Sequence, residues 1–331
     1  MFSSIYIEKE LAQNTRVQEI IKRFPNVPHI YCDHYSELFN RNHQNFRIQK
    51  QSPSLILARK DNKYVLPVPQ GYGVGADQNY YFSHMLNCVY DCRYCFLQGM
   101  YNSANYVLFI NYESFEQEME TVIQSHAGET VGLFSGYDCD SLALEPVSGF
   151  VKYFLGLFEK YPQAILELRT KSTQVRTLLE RDPLNNCIVA YSFTAESVSK
   201  ALENKVPTLS KRIDALHRVQ KHGWPIGLRF DPVIYSESYQ QDFKTLCQQI
   251  FEVVDASSVH SVSLGAFRLP HKFMSKMTDL YPDEKLFAGS FERHGGMLSY
   301  PVGLEQEMMD YCKKVLLTYI KPEQLFRCDP V

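Results

Sequence analysis

The sequence predicts an α/β protein: a partial β/α barrel of six units, with an N-terminal extension and a C-terminal hairpin and helix. Three observations carry this. From residue 78 onward, short apolar or β-branched runs alternate with segments of helical period, as in parallel strands joined by right-handed crossovers. Six such runs occur, which suits an incomplete barrel better than an eightfold one, with an open doubly wound sheet as the alternative. Finally, 45% of the 331 residues are hydrophobic, enough for one large domain with an appendage.

Residues Glu8 to Phe24 read as an amphipathic helix, "HIYC" (His29 to Cys32) as a short strand, and "SLILAR" (54–59) as another. The Pro- and Gly-rich "LPVPQGYGVG" reads as a connector; no Lys-Ser/Thr follows its glycines, so it is not a phosphate loop. The extension is therefore placed at 1–75 and the barrel, with its C-terminal segment, at 76–331. The six strand runs are "YYFSHML", "TVGLFS" (130–135), "AILELRT" (164–170), "IVAYSF" (188–193), "IGLRFD" (226–231) and "VSLGAF". Helical patterns lie between them, such as "SFEQEMETVIQSH", "SGFVKYFLGLFEKY", "LSKRIDALHRVQKHG" and "YQQDFKTLCQQIFEVV". Beyond 285, "FERHGGMLSYPVG" suggests a loop or hairpin, and an amphipathic helix comes next, near 304–320.

Net charge is −3, so any contact with nucleic acid needs a local basic patch. The N-terminus has no basic stretch leading into an apolar core, and no apolar run approaches the roughly 18 residues of a membrane span. Nine cysteines in a long chain argue against a disulfide framework. The expectation is a soluble, cytoplasmic protein with metal or redox chemistry at clustered thiols.

Those thiols are Cys88, Cys92 and Cys95 in "NCVYDCRYC"; the other cysteines (Cys32, Cys139, Cys187, Cys247, Cys312, Cys328) are scattered. One reading is structural zinc with His84 as the fourth ligand. However, zinc sites usually present two separated cysteine pairs, and no second pair exists here. The other reading is a 4Fe–4S cluster whose fourth iron keeps an open position.

The three-then-two spacing resembles that of the radical S-adenosylmethionine superfamily, whose fold is a partial (β/α)6 barrel. Beyond it, the chain resembles the spore photoproduct lyase family. The matching blocks are "SPSLILARK" (52–60), "CVYDCRYCFLQ", "LELRTKSTQVRTLLE" (166–180), "VAYSFTAE" (189–196), "TLSKRIDALHRVQKHGWPIGLRFDPVIY" (208–235) and "LGAFRLP" (264–270). The resemblance implies a 4Fe–4S cluster on Cys88, Cys92 and Cys95, with S-adenosylmethionine on the open iron. A one-electron reductase such as flavodoxin or ferredoxin would feed it. The implied reaction repairs a methylene-bridged thymine dimer in DNA by hydrogen abstraction, carbon–carbon cleavage and hydrogen return. Lys171 and Ser192 match polar groups near S-adenosylmethionine, Asp231 a strand-end position beside it, and Tyr94 a tyrosine inside the cluster motif.

Two departures affect hydrogen return. The family's donor cysteine aligns with Tyr137, while Cys139 stands where the family has a cofactor-facing serine. Phe96 replaces a tyrosine of the family's hydrogen relay. Either Cys139 serves as donor, Tyr137 does, or the substrate differs, a modified nucleoside for example. A non-catalytic, zinc-holding nucleic-acid binder is the reading from another class. For DNA contact, the resemblance points to basic residues of the C-terminal region: Arg268, Lys272, Arg293 and His294, with Phe267, His271 and Lys276 nearby.

Overall fold

The computed structural model describes residues 2–69 and 71–327. The β-branched and aliphatic runs form two sheets, one with an apolar outer and a polar inner face, the other with Leu55–Ala58 and Tyr106–Phe109 buried along their whole length. The larger is a curled sheet in which six strands run parallel: Gln78–Phe82, Val131–Ser135, Ala164–Thr170, Cys187–Ser192, Ile226–Val233 and Val259–Ala266. These are the six expected units. Two strands not anticipated extend its edges, Val65–Pro67 antiparallel to Gln78–Phe82 and Leu325–Arg327 parallel to Val259–Ala266.

On the outer face of this sheet, Leu133, Leu166, Leu168, Val189 and Leu228 pack with Phe150, Phe154, Phe158 and Leu216 of the crossover helices. At roughly 1.5–3 kcal/mol per buried large aliphatic or aromatic side chain, this layer dominates the fold's stability. The opposite face carries the alternate residues Asn79, Tyr81, Glu167, Arg169, Ser192, Arg229, Asp231, Ser261 and Ser263, and is polar. Burial would push the Glu167 carboxyl up. Arg229 (2.7 Å) and Arg169 (3.0 Å) more than offset that and hold it down at about 2.

The second sheet runs in the order His29–Cys32, Ile5–Glu8, Leu55–Ala58, Tyr106–Phe109, Met85–Leu86; the first four are parallel and the last is antiparallel. Membership of the two sheets crosses residue 75 in both directions: Val65–Pro67 joins the barrel, while residues 85–86 and 106–109 join the N-terminal sheet. The expected single run 80–86 is thus split, with Phe82 ending a barrel strand and Met85 starting one in the other sheet.

The helix expected over Glu8–Phe24 is corrected. Ile5–Glu8 is a strand with Ile5 and Ile7 buried, and the helix spans Thr15–Lys22. Its start is fixed by Asn14, whose side chain accepts from the Arg16 and Val17 backbone N–H groups. The C-terminal hairpin pairs Glu292–His294 with Met297–Ser299, and Arg268–Pro270 adds a third strand. The last long helix spans Val302–Leu316. No helix among the described residues is long and apolar enough to cross a membrane.

Candidate active site

The cysteine motif lies in a loop between Met85–Leu86 and the short helix Leu97–Met100, and its backbone is fixed from several sides. Cys95 N–H donates to the Cys92 carbonyl (3.1 Å), and Arg93 N–H to the Leu202 carbonyl (2.8 Å). Asp91–Cys92 pairs antiparallel with Glu203–Asn204. From the N-terminal region, buried Lys50 donates to the carbonyls of Cys88 (3.1 Å) and Tyr90 (3.2 Å).

Burial pushes the Cys88 thiol up to about 12, and the Cys92 and Cys95 thiols up as well. Two lysines oppose this: Lys171 acts on Cys92 and Cys95, and Lys50 on Cys88 and Cys95. Three thiols that share a loop, Cys92 buried and Cys88 and Cys95 half-buried, suit an iron–sulfur cluster: the two ammonium groups favour the thiolate form, and coordination to the metal supplies the rest of the charge that deprotonates thiols in a dry site. The zinc reading fares worse. His84 is buried with its ring flat on Phe150 (3.8 Å, 6°). Among the described residues, no three His, Cys, Asp or Glu side chains are gathered as a single ion requires.

Lys171 follows the strand Ala164–Thr170, where its backbone N–H donates to Asp140 Oδ2 (2.6 Å) and Thr170 Oγ1 donates to Asp140 Oδ1 (2.7 Å). Asp140 also accepts from the N–H groups of Leu142 (3.0 Å) and Ala143 (2.9 Å), so the "SGYDCDS" loop and the Lys171 turn are one rigid unit. The Lys171 ammonium lies 3.8 Å from Glu203 Oε1 and 5.7 Å from the Tyr94 ring centroid. The Tyr94 hydroxyl donates to the same Glu203 oxygen. Ser192 ends its strand, and its carbonyl accepts from Arg212 (3.2 Å). Lys171, Tyr94 and the cluster loop therefore meet, and Ser192 joins them through Arg212.

Asp231 is ion-paired with Arg268 (3.4 Å), and Arg268 Nε donates to the Tyr72 hydroxyl (3.1 Å). Gly265 makes room for the pair, since a Cβ there would lie 2.8 Å from both Asp231 Oδ1 and Arg268 NH1. The Arg268 side chain is 10% exposed. Its expected phosphate contact therefore gives way to an internal role, because the guanidinium is held by Asp231 and Tyr72. Lys272, Arg293 and His294 are exposed. His271 N–H donates to the Gly296 carbonyl (2.9 Å), joining the helix His271–Leu280 to the hairpin turn.

The two departures from the family pattern touch each other. Tyr137 stacks on Tyr81 (4.4 Å, 32°) and against Phe96 (5.4 Å, 49°), and is 42% exposed. Burial, Tyr81 and Asp138 push its phenol up to about 12. Cys139 is buried in the smaller core with Met85, Leu108 and Leu144, and the Met85 backbone N–H donates to its sulfur. Sequence reasoning missed Glu203, Arg212, Asp140 and Lys50. Glu203 and Lys50 each sit in a short polar stretch that looks solvated, and nothing local marks them.

A family model described as spore photoproduct lyase matches residues 75–302. The chain belongs to the spore photoproduct lyase family. It is 22% identical to the spore photoproduct lyase of Bacillus subtilis (strain 168), over 90% of this chain and 88% of that one. It is 20% identical to the Clostridium acetobutylicum spore photoproduct lyase over 63% and 62%. A solved spore photoproduct lyase variant with bound AdoMet and dinucleoside spore photoproduct superposes with a TM-score of 0.86 at 16% identity, covering 100% and 99% of the two chains. The family's fold thus extends over the whole described chain, including its N-terminal sheet.

Proposed function

We propose that this chain is a radical S-adenosylmethionine enzyme that repairs a spore-photoproduct-type thymine lesion in DNA, acting as a carbon–carbon lyase. One observation carries the reading. Within a chain of this family, the cysteine loop, Lys171 and Tyr94 converge on one buried carboxylate beside the C-terminal ends of the barrel strands, where β/α barrels assemble their active sites. Cys88, Cys92 and Cys95 would hold the cluster; Lys171, Ser192 and Asp231 would border S-adenosylmethionine. When bound, the two groups supply a carbon-centred radical after one-electron reduction by a flavodoxin- or ferredoxin-type partner.

The chain's own residues then govern how the lesion is held and how hydrogen is returned to it. Lys272, Arg293 and His294 anchor DNA phosphates, and the hairpin holds the lesion at the mouth. Tyr137 returns the hydrogen: its O–H bond breaks, a C–H bond forms on the product radical, and the phenoxyl radical left behind takes one electron and one proton from the reducing system. Its place beside Phe96 and Tyr81, half-exposed and kept protonated, favours it over Cys139, which is packed in the core.

The test is anaerobic reconstitution followed by turnover of a dinucleotide spore photoproduct. Wild type and Cys139→Ala should both release thymidylyl product, whereas Tyr137→Phe should lose clean product by roughly 100-fold or more, the scale of one lost proton-transfer group. A wild type that cleaves S-adenosylmethionine yet leaves the lesion intact would instead direct the same chemistry to another substrate.

A further inference from the structure

Glu203 has no assigned role, yet it is a heavily partnered carboxylate beside the cysteine loop. Its side chain is fully buried. It accepts from the Tyr94 hydroxyl, from Ser199 Oγ (2.7 Å) and from Arg212 (2.8 Å), and lies 3.8 Å from the Lys171 ammonium. Its backbone pairs with Cys92. Arg212, also fully buried, donates to Ser199 Oγ (2.8 Å) and to the Ser192 carbonyl (3.2 Å). These contacts reach three separate places: the cluster loop, the turn after Ala164–Thr170, and the end of Cys187–Ser192.

A buried pair such as Glu203–Arg212 adds little net stability over well-packed apolar residues. One interaction of the carboxylate is unlike the rest. Arg212 and Ser199 hold it in place, whereas Lys171 is a long, flexible partner that remains 14% exposed. We propose that Glu203 is a positioning residue that fixes the Lys171 ammonium and the Tyr94 loop in one geometry, so that Lys171 receives the anionic end of S-adenosylmethionine without first losing its rotamer freedom.

This rests on the cofactor reading above, and the test separates the two. S-Adenosylmethionine affinity is measured on anaerobically reconstituted wild type, Glu203→Gln, Lys171→Met and the double variant. Iron content and the electron paramagnetic resonance spectrum of the reduced cluster are recorded with and without S-adenosylmethionine. Glu203→Gln should keep its iron and its cofactor-free spectrum, bind S-adenosylmethionine about tenfold more weakly, the scale of a lysine's rotamer freedom, and cost little further affinity when introduced into Lys171→Met. If Glu203→Gln does not fold, Glu203→Asp, which keeps the charge on Arg212 but withdraws it from Lys171, is read the same way. Unchanged affinity, or losses that simply add, would overturn the positioning role. A wild type that binds no S-adenosylmethionine would overturn the cofactor reading instead.

Discussion

At the scale of single residues, ligand chemistry is legible where it is local and hidden where it is not. Cys88, Cys92 and Cys95 announce themselves because three ligands of one group share a loop. Glu203 cannot, because its partners Tyr94, Lys171, Ser199 and Arg212 come from four places in the chain. Glu167 is a similar case, an acid in a strand whose meaning depends on Arg229, 62 positions away. Its carboxyl is held at about 2 against a usual 4.5. Since the folded value is the lower one, its stabilisation is complete above about pH 4.5 and is lost as pH falls toward 2. That gap corresponds to about 3 kcal/mol. Replacement by Gln at neutral pH leaves Arg229 buried without its carboxylate, costing roughly 3–5 kcal/mol. Chemical denaturation of wild type and Glu167→Gln from pH 7 to pH 3 should show a constant difference at the upper end that narrows below pH 4.5. A difference that holds down to pH 3 would contradict the network's ionisation.

At the scale of elements, the barrel strands were readable because each is a compact apolar run bounded by polar turns. The boundary at Phe82 was not: Ser83 and His84 are buried and pass as strand, so the switch between sheets leaves no break in hydrophobicity. The substrate-side unit, helix His271–Leu280 with its hairpin, docks on the cluster motif through Gly99. A Cβ at Gly99 would lie 2.8 Å from the Phe273 Cβ and backbone oxygen, and backbone cannot swing aside. Ala is favoured over Gly inside a helix by up to about 1 kcal/mol, but overpacking costs roughly 1–3, so the clash decides. Gly99→Ala should therefore lower the melting temperature. The same unit carries the exposed cations. Arg293→Ala combined with Lys272→Ala should weaken binding of a lesion oligonucleotide uniformly across flanking sequences. The log–log salt slope should drop by about 0.7–0.9 per lost phosphate contact. An unchanged slope would move the DNA face elsewhere.

At the scale of the whole molecule, composition and alternation led to the right architecture but suggested an extension that merely precedes a barrel. The N-terminal strands instead form one sheet with residues 85–86 and 106–109, and Lys50 reaches the cluster loop from behind. Parallel pairing between Leu55–Ala58 and Tyr106–Phe109 leaves no signature in sequence, because any buried parallel strand presents the same apolar run. The coupling has an energetic consequence. A chain starting at residue 76 would uncover Met85, Leu108, Ile110 and Leu144, all packed in the smaller core. At roughly 1.5–3 kcal/mol each, the loss approaches the 5–15 kcal/mol that holds a typical domain together. It would also strip the cluster loop of two carbonyl hydrogen bonds. The 76–331 fragment is therefore expected to be insoluble or free of iron after anaerobic reconstitution, whereas full-length Lys50→Met should stay folded, with all strands paired, but retain less iron. Soluble yield and iron per chain measure both. A folded, fully loaded fragment would mean that the barrel holds its cysteine loop unaided; full iron in Lys50→Met would mean that the extension contributes its sheet but not its lysine.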